Sequence, residues 1–188
     1  MNKKTFILNL FCWLGLINVS LAQIRVPKLI SDGMVLQRNT PLKIWGWASK
    51  GEKIKLIFNQ FTYQTTANEQ GDWIINLPKM KAGGPYVMTI SGSNALTINN
   101  ILIGEVWVCS GQSNMELPMR RVSPIYEKEI AEAENSQIRH FIVPQKYDFN
   151  TPQKDLSGGT WVSASSQNVL NFSAVAYFFA KDLYAKYK

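Results

Sequence analysis

From Gln23 to Asn100, short stretches of alternating apolar and polar residues are separated by turn signals at close intervals. Lys53 to Phe58 sets Ile54, Leu56 and Phe58 against Lys55 and Ile57, the period of a half-buried strand. Asn59-Gln60 then makes a tight hairpin into Phe61 to Thr66, and Trp73 to Leu77 follows the turn at Asn68 to Asp72. Met34 to Gln37, Leu42 to Ala48, Tyr86 to Ser91 and Leu96 to Ile103 read the same way, bounded by Gly, Pro, Asn or Ser. Seven short strands in roughly 80 residues predict a β-sandwich of immunoglobulin-like size over 23–100. Trp45 and Trp47, two apart, share one face of their strand. Paired indoles can stack on sugars, but large aromatics dominate cores, so these two and Trp73 are expected to fill the sandwich core or its junction with the next domain.

The pattern changes after Asn100. Val106 to Cys109 is a continuous apolar run and predicts a buried strand, with Cys109 as a small core residue rather than a reactive thiol. The run breaks into Ser110-Gly111-Gln112-Ser113-Asn114. An α/β sheet presents functional side chains in this way, at the carboxyl end of a strand. Gly111 allows a sharp turn, and Ser113 would leave the strand with its hydroxyl at the sheet edge and its N–H unpaired. That suits a nucleophile whose own amide helps hold an oxyanion. The hydrolase elbow Gly-x-Ser-x-Gly is not matched, because Met115 stands in its last position, and Gly-x-Ser alone is also an ordinary turn.

Further along, a polar helix is expected over 125–135, with Ser123 as cap, Pro124 just inside and a solvated acidic face. Ile138 to Val143 predicts a strand and Trp161 to Ser163 a shorter one. An amphipathic helix is expected over 172–187, its stripe running through Phe172, Val175, Phe179, Leu183 and Tyr187, with Asn171 or Ser173 as cap. The chain has a single His, His140. It falls mid-strand beside Phe141 and Ile142, the wrong place for the base that a Ser hydroxyl needs.

Charge and the amino terminus set the compartment. Met1 to Ala22 carries Lys3 and Lys4, a mostly apolar run from Phe6 to Val19, and small residues at Ser20 and Ala22. This predicts a secretory signal peptide over 1–22, cleaved before Gln23, and a secreted or periplasmic protein. Cys12 lies in that leader, so the remainder holds one Cys and no internal disulfide is expected. The net charge is +7, two units of which belong to the leader. The other cations are scattered rather than gathered on one face with aromatics between them, which argues against nucleic acid. No run after the leader is long enough to span a membrane, and no His/Cys/Asp/Glu cluster has metal-ligand spacing, so neither a metal nor another cofactor is expected.

Gly104-Glu105-Val106-Trp107 leading into Ser110-Gly111-Gln112-Ser113-Asn114-Met115-Glu116 resembles the signature of the sialate O-acetylesterases, carbohydrate esterases of the SGNH-hydrolase superfamily. The similarity continues through Ile138-Arg139-His140-Phe141 and into Asn171 to Phe179. The resemblance implies that the sandwich is followed, over 101–188, by the first part of a three-layer α/β domain of flavodoxin-like build. It also implies that Ser113 is the nucleophile and a backbone oxyanion donor, on a loop supported by Gly111, Gln112 and Asn114. The substrate implied is O-acetylated sialic acid or another acetylated sugar. In that family the catalytic His follows an Asp in an Asp-x-x-His block, and no such block occurs here. The chain is therefore expected to be an amino-terminal portion, inactive alone, with a separately encoded carboxyl-terminal half as one partner. Two alternatives stand beside this. One is an acetylesterase acting on plant polysaccharide such as acetylated xylan. The other is a non-catalytic remnant that binds carbohydrate or protein. Arg120 and Arg121, just past the loop, could meet a sialate carboxylate or simply be solvated.

Overall fold

The structure, a computed structural model, describes residues 23–187. The expected leader, with Cys12, lies outside the described residues. The alternation in the first segment is realised as seven strands: β1 (Val35–Gln37), β2 (Leu42–Trp47), β3 (Lys53–Phe58), β4 (Phe61–Thr66), β5 (Asp72–Leu77), β6 (Gly83–Ser91) and β7 (Ala95–Gly104). They form a five-stranded sheet in the order β1-β7-β6-β3-β4 and a two-stranded sheet of β2 with β5. The larger sheet is mixed, since β1 runs parallel to β7 while the other pairs are antiparallel. Inward positions of both sheets meet in one core: Leu56, Met88 and Ile101 from the larger, Ile44 and Ile75 from the smaller. Burying each such side chain contributes about 1.5–3 kcal/mol, which makes this core the main source of stability in the first segment.

The tryptophans divide. Trp73 is in the core, as expected. On β2 the buried positions are Leu42, Ile44 and Gly46, so Trp45 and Trp47 lie on the opposite face. Trp45 still packs against the rim of the core, whereas Trp47 is not among the core's packing partners and instead carries the Arg25 guanidinium 5.8 Å from its ring centroid. Of the two places expected for these rings, the core or its junction with the next domain, Trp47 is not in the core, because the pleat sets its side chain outward.

The second segment folds around its own cluster, which includes Met119, Ile138, Val169, Phe172 and Tyr177. Its elements are α1 (Ser113–Glu116), α2 (Met119–Val122), α3 (Glu127–Ala131), β8 (Asn135–Phe141), β9 (Trp161–Ala164) and α4 (Ala174–Tyr187). Three expectations are corrected here. Val106 to Cys109 is not a buried strand: none of the described residues pairs with it, and Val108 is 93% exposed. The helix expected over 125–135 is only five residues long. Ser123 does not cap it but donates from Oγ to the Arg120 carbonyl, and Asn135 is drawn into β8 opposite Ala164. The apolar stripe on α4 is displaced. Ala174 and Tyr177 are the buried positions, while Val175 and Phe179 are exposed at 48% and 39%. The helix is apolar on two faces, and periodicity alone does not say which one meets the core.

β8 and β9 form an antiparallel pair rather than joining a parallel sheet with the Ser113 segment. This pair is tied to the first segment by hydrogen bonds. Arg139 donates from Nη1 to the carbonyls of Gly33 (2.6 Å) and Asn100 (2.5 Å) and from Nη2 to Oδ1 of Asn100 (2.9 Å). The indole N–H of Trp161 donates to the Leu29 carbonyl at 2.8 Å. No helix among the described residues is long and apolar enough to cross a membrane.

Two outcomes are expected from local geometry. Asn59 and Gln60 turn with φ of 48° and 69°, the left-handed region required at both central positions of a primed hairpin turn. Asn tolerates that region and Gln does not, so Gln60→Gly is expected to stabilise the protein by about 1 kcal/mol. Urea unfolding measures this, and an unchanged or lowered midpoint would count against the turn. His140 packs on Phe172 with ring centroids 4.5 Å apart, and burial holds its imidazole below the ordinary range. The unfolded chain then takes the proton first, so this contribution is intact above about pH 6.5 and is lost as the pH falls. Thermal midpoints should drop between pH 7 and 5.5, and less steeply in His140→Gln; parallel curves for the two proteins would refute the assignment.

Candidate active site

The chain leaves β7 at Gly104 and is caught at once. Glu105 accepts from the Arg38 Nε at 2.5 Å and from the Gln37 Nε2 at 3.3 Å, while Gln37 Oε1 accepts from the Val106 N–H at 2.8 Å. The Arg38 N–H donates to the Gly104 carbonyl at 2.8 Å, and its guanidinium lies 5.0 Å from the ring centroid of Tyr187 at the end of α4. From there Val106 to Gln112 runs over the surface, unpaired with any strand among the described residues, and Trp107 meets Phe179 edge-on at 5.2 Å.

Ser113 opens α1 and is exposed. Neither its hydroxyl nor its N–H has a hydrogen-bond partner among the described residues. At the first position of a helical turn the amide is an orphan donor, free to serve an acceptor from outside the chain. Gln112 is the residue before the turn, and its carbonyl accepts from the N–H groups of Met115 (2.9 Å) and Glu116 (3.0 Å). Asn114 lies beside Ser113 on α1 and is exposed. Gly111 serves a different purpose from the one expected. Its φ is not in the left-handed region; what it supplies is room, since a Cβ there would come 3.0 Å from the Met115 Cβ.

The far side of the loop is fixed to the start of α4. Met119 N–H donates to the Phe172 carbonyl and Ala174 N–H to the Leu117 carbonyl, both at 2.9 Å, forming a short bridge between Pro118 and Ser173. Ser173 caps α4 by accepting from the Ala176 N–H at 3.3 Å and points its hydroxyl at the Met115 sulfur, 3.6 Å away. Gln145 donates its side-chain amide to Glu116. Arg120 is held by Asn171 Oδ1 at 2.7 Å, and Arg121 is exposed. These contacts join residues far apart in sequence, and no local motif announces them. The only signal was that Asn171 to Ser173 fell inside the region of resemblance.

Cys109 is exposed, which corrects its expected place in a core. With Trp107, Val108, Ser110, Met115 and Phe179 it lines an open groove of about 290 Å³ beside the loop. His140 makes no hydrogen bond to Ser113; it faces Phe172 in the second core.

No family model matches the chain. Sialate O-acetylesterase of Mus musculus is 27% identical over 178 residues, covering 85% of this chain and 33% of the relative. The Homo sapiens enzyme of the same name is 31% identical over 110 residues, 52% of this chain and 21% of the relative. Among solved structures, a carbohydrate acetylesterase from Xanthomonas citri superposes with a TM-score of 0.84 at 39% identity, covering 87% of this chain and 38% of that one. The chain spans about a third of the length of most of the relatives it matches. In sequence and in fold the chain is thus a relative of the sialate O-acetylesterases and of a carbohydrate acetylesterase.

Proposed function

We propose that the chain carries the nucleophile segment of a serine acetylesterase acting on O-acetylated sugars. The observation that carries this reading is Ser113 itself: exposed, at the first position of a helical turn, with hydroxyl and N–H both unspent among the described residues. Ser113 Oγ attacks the acetyl carbonyl, its proton passes to a base, and the Ser113 N–H receives one share of the oxyanion charge; collapse then breaks the ester bond, and the sugar leaves as its alcohol on taking the proton back from the base. Water then releases acetate from the acetyl-enzyme. Gln112 shapes the turn through its carbonyl, Gly111 lets Met115 approach, and Asn114 flanks the nucleophile. Sialic acid is the sugar favoured by the named relatives, and the unoccupied face of Arg121 is available to a carboxylate.

The base would come from outside the described residues, because the one His faces Phe172 in the second core and makes no hydrogen bond to Ser113. A further segment or a separately encoded half would supply it, along with a second oxyanion donor, and the apolar groove at Trp107, Val108 and Phe179 offers it a surface beside the loop. The division into a sandwich over 23–100 and the opening of an α/β domain over 101–188 belongs to the same proposal, as do the leader and a secreted or periplasmic location.

Complementation tests this. The chain alone should hydrolyse 4-nitrophenyl acetate at a rate near the buffer background. Joined to the carboxyl-terminal portion of the Xanthomonas citri acetylesterase, it should gain turnover that Ser113→Ala lowers by about 10³-fold or more. Acetate release from O-acetylated sialic acid against acetylated xylan then identifies the sugar. Turnover that survives Ser113→Ala would refute the nucleophile.

A further inference from the structure

A second groove, about 540 Å³ in volume, opens on the first segment, away from Ser113. Clefts of about 300–1,000 Å³ are the usual size for small ligands. Its walls come from the outward face of the two-stranded sheet and from the edge of β4. In the ladder, Trp45 stands opposite Ile74 and Trp47 opposite Asp72. Both tryptophans line the groove, and Ile74 beside them is 44% exposed. Trp45, which also touches the rim of the core, and Trp47 are both part-exposed on this face, so part of each ring is open to a ligand.

Around these rings the polar groups are unspent. Lys43 and Asp72 have no ion-pair partner among the described residues. Asn68 uses its Oδ1 to accept from the N–H groups of Gln70 and Asp72, which leaves its amide N–H₂ as a donor. Trp73 lines the groove from the core side, and its buried Nε1–H has no acceptor among the described residues.

We propose that this groove binds a neutral polysaccharide chain. The indole faces of Trp45 and Trp47 take the apolar C–H faces of successive sugar rings, and Lys43, Asn68 and Asp72 bond the hydroxyls at the edges. Lys43 and Asp72 cancel in charge, which favours an uncharged polymer over a polyanion. The groove would hold an uncharged stretch of the glycan whose acetyl groups are removed, whichever sugar carries them. In that respect it rests on the esterase reading, but its binding needs no chemistry at Ser113.

Electrophoresis of the protein through gels containing xylan, galactomannan or polysialic acid tests it. At least one neutral polymer is expected to retard the protein and to change its tryptophan fluorescence, with Ser113→Ala behaving identically. Trp47→Ala should weaken binding at least tenfold while keeping the thermal midpoint, since Trp47 is not packed in the core. Lys43→Ala, an exposed position, should weaken it about threefold and serves if the tryptophan variant does not fold. Retardation by polysialic acid alone, equal retardation of the Trp47 and Lys43 variants, or no retardation by any polymer would overturn the proposal. The last outcome would leave the tryptophan face to a protein contact. None of these results depends on whether complementation yields an esterase.

Discussion

Among the described residues the segment that bears Ser113 has no strand partner, so its placement depends on what grips its two ends. At one end Glu105 and Val106 are held by Gln37 and Arg38. At the other, Leu117 and Met119 exchange backbone hydrogen bonds with Ala174 and Phe172. The Arg38–Glu105 ion pair is partly exposed and contributes no more than about 1 kcal/mol. The backbone pair is worth about 0.5–1.5 kcal/mol per bond, with the cost of an unmade bond added if it is broken. The grip is modest in energy but specific in direction. It delivers the serine to the surface rather than into either core.

Helix α4 makes this arrangement possible. One face, with Ala174 and Tyr177, closes the second core. The other face, with Val175 and Phe179, lies along the groove beside the Ser113 segment, where Phe179 meets Trp107. Because Ser173 caps the helix and also touches Met115, helix start and serine turn share a fixed spacing. Arg139 fixes the second segment to the first through acceptors on Gly33 and Asn100. The serine is thereby held in a constant relation to the larger sheet.

Much of the first segment was legible because each strand carries its own period-two pattern and its own turn chemistry. Lys53–Phe58 and Phe61–Thr66 were legible to the residue, since Asn59-Gln60 between them leaves no freedom in register. The polar turn at Ser113 was legible as well, through the run of small polar residues at 110–114. What was not legible depended on partners. Val106 to Cys109 has the composition of a buried strand, but a strand exists only when another pairs with it. The buried face of α4 was not legible because both faces are apolar, and only the position of Met119 and Ile138 decides between them. Gln37, Arg38 and Arg139 gave no sign of their roles, because the partners that give them those roles, Glu105, Gly33 and Asn100, lie 39 to 106 residues away.

The most direct measurement of this account is amide hydrogen exchange read residue by residue. The N–H groups of Trp107 to Ser113 have no acceptor among the described residues and should exchange close to the rate of an unstructured peptide. Those of Met119 and Ala174, bonded across the bridge, should be slowed by orders of magnitude. Slow exchange throughout 107–113 would mean that this stretch is laddered and interior, and the surface-presented serine on which the functional reading depends would be contradicted.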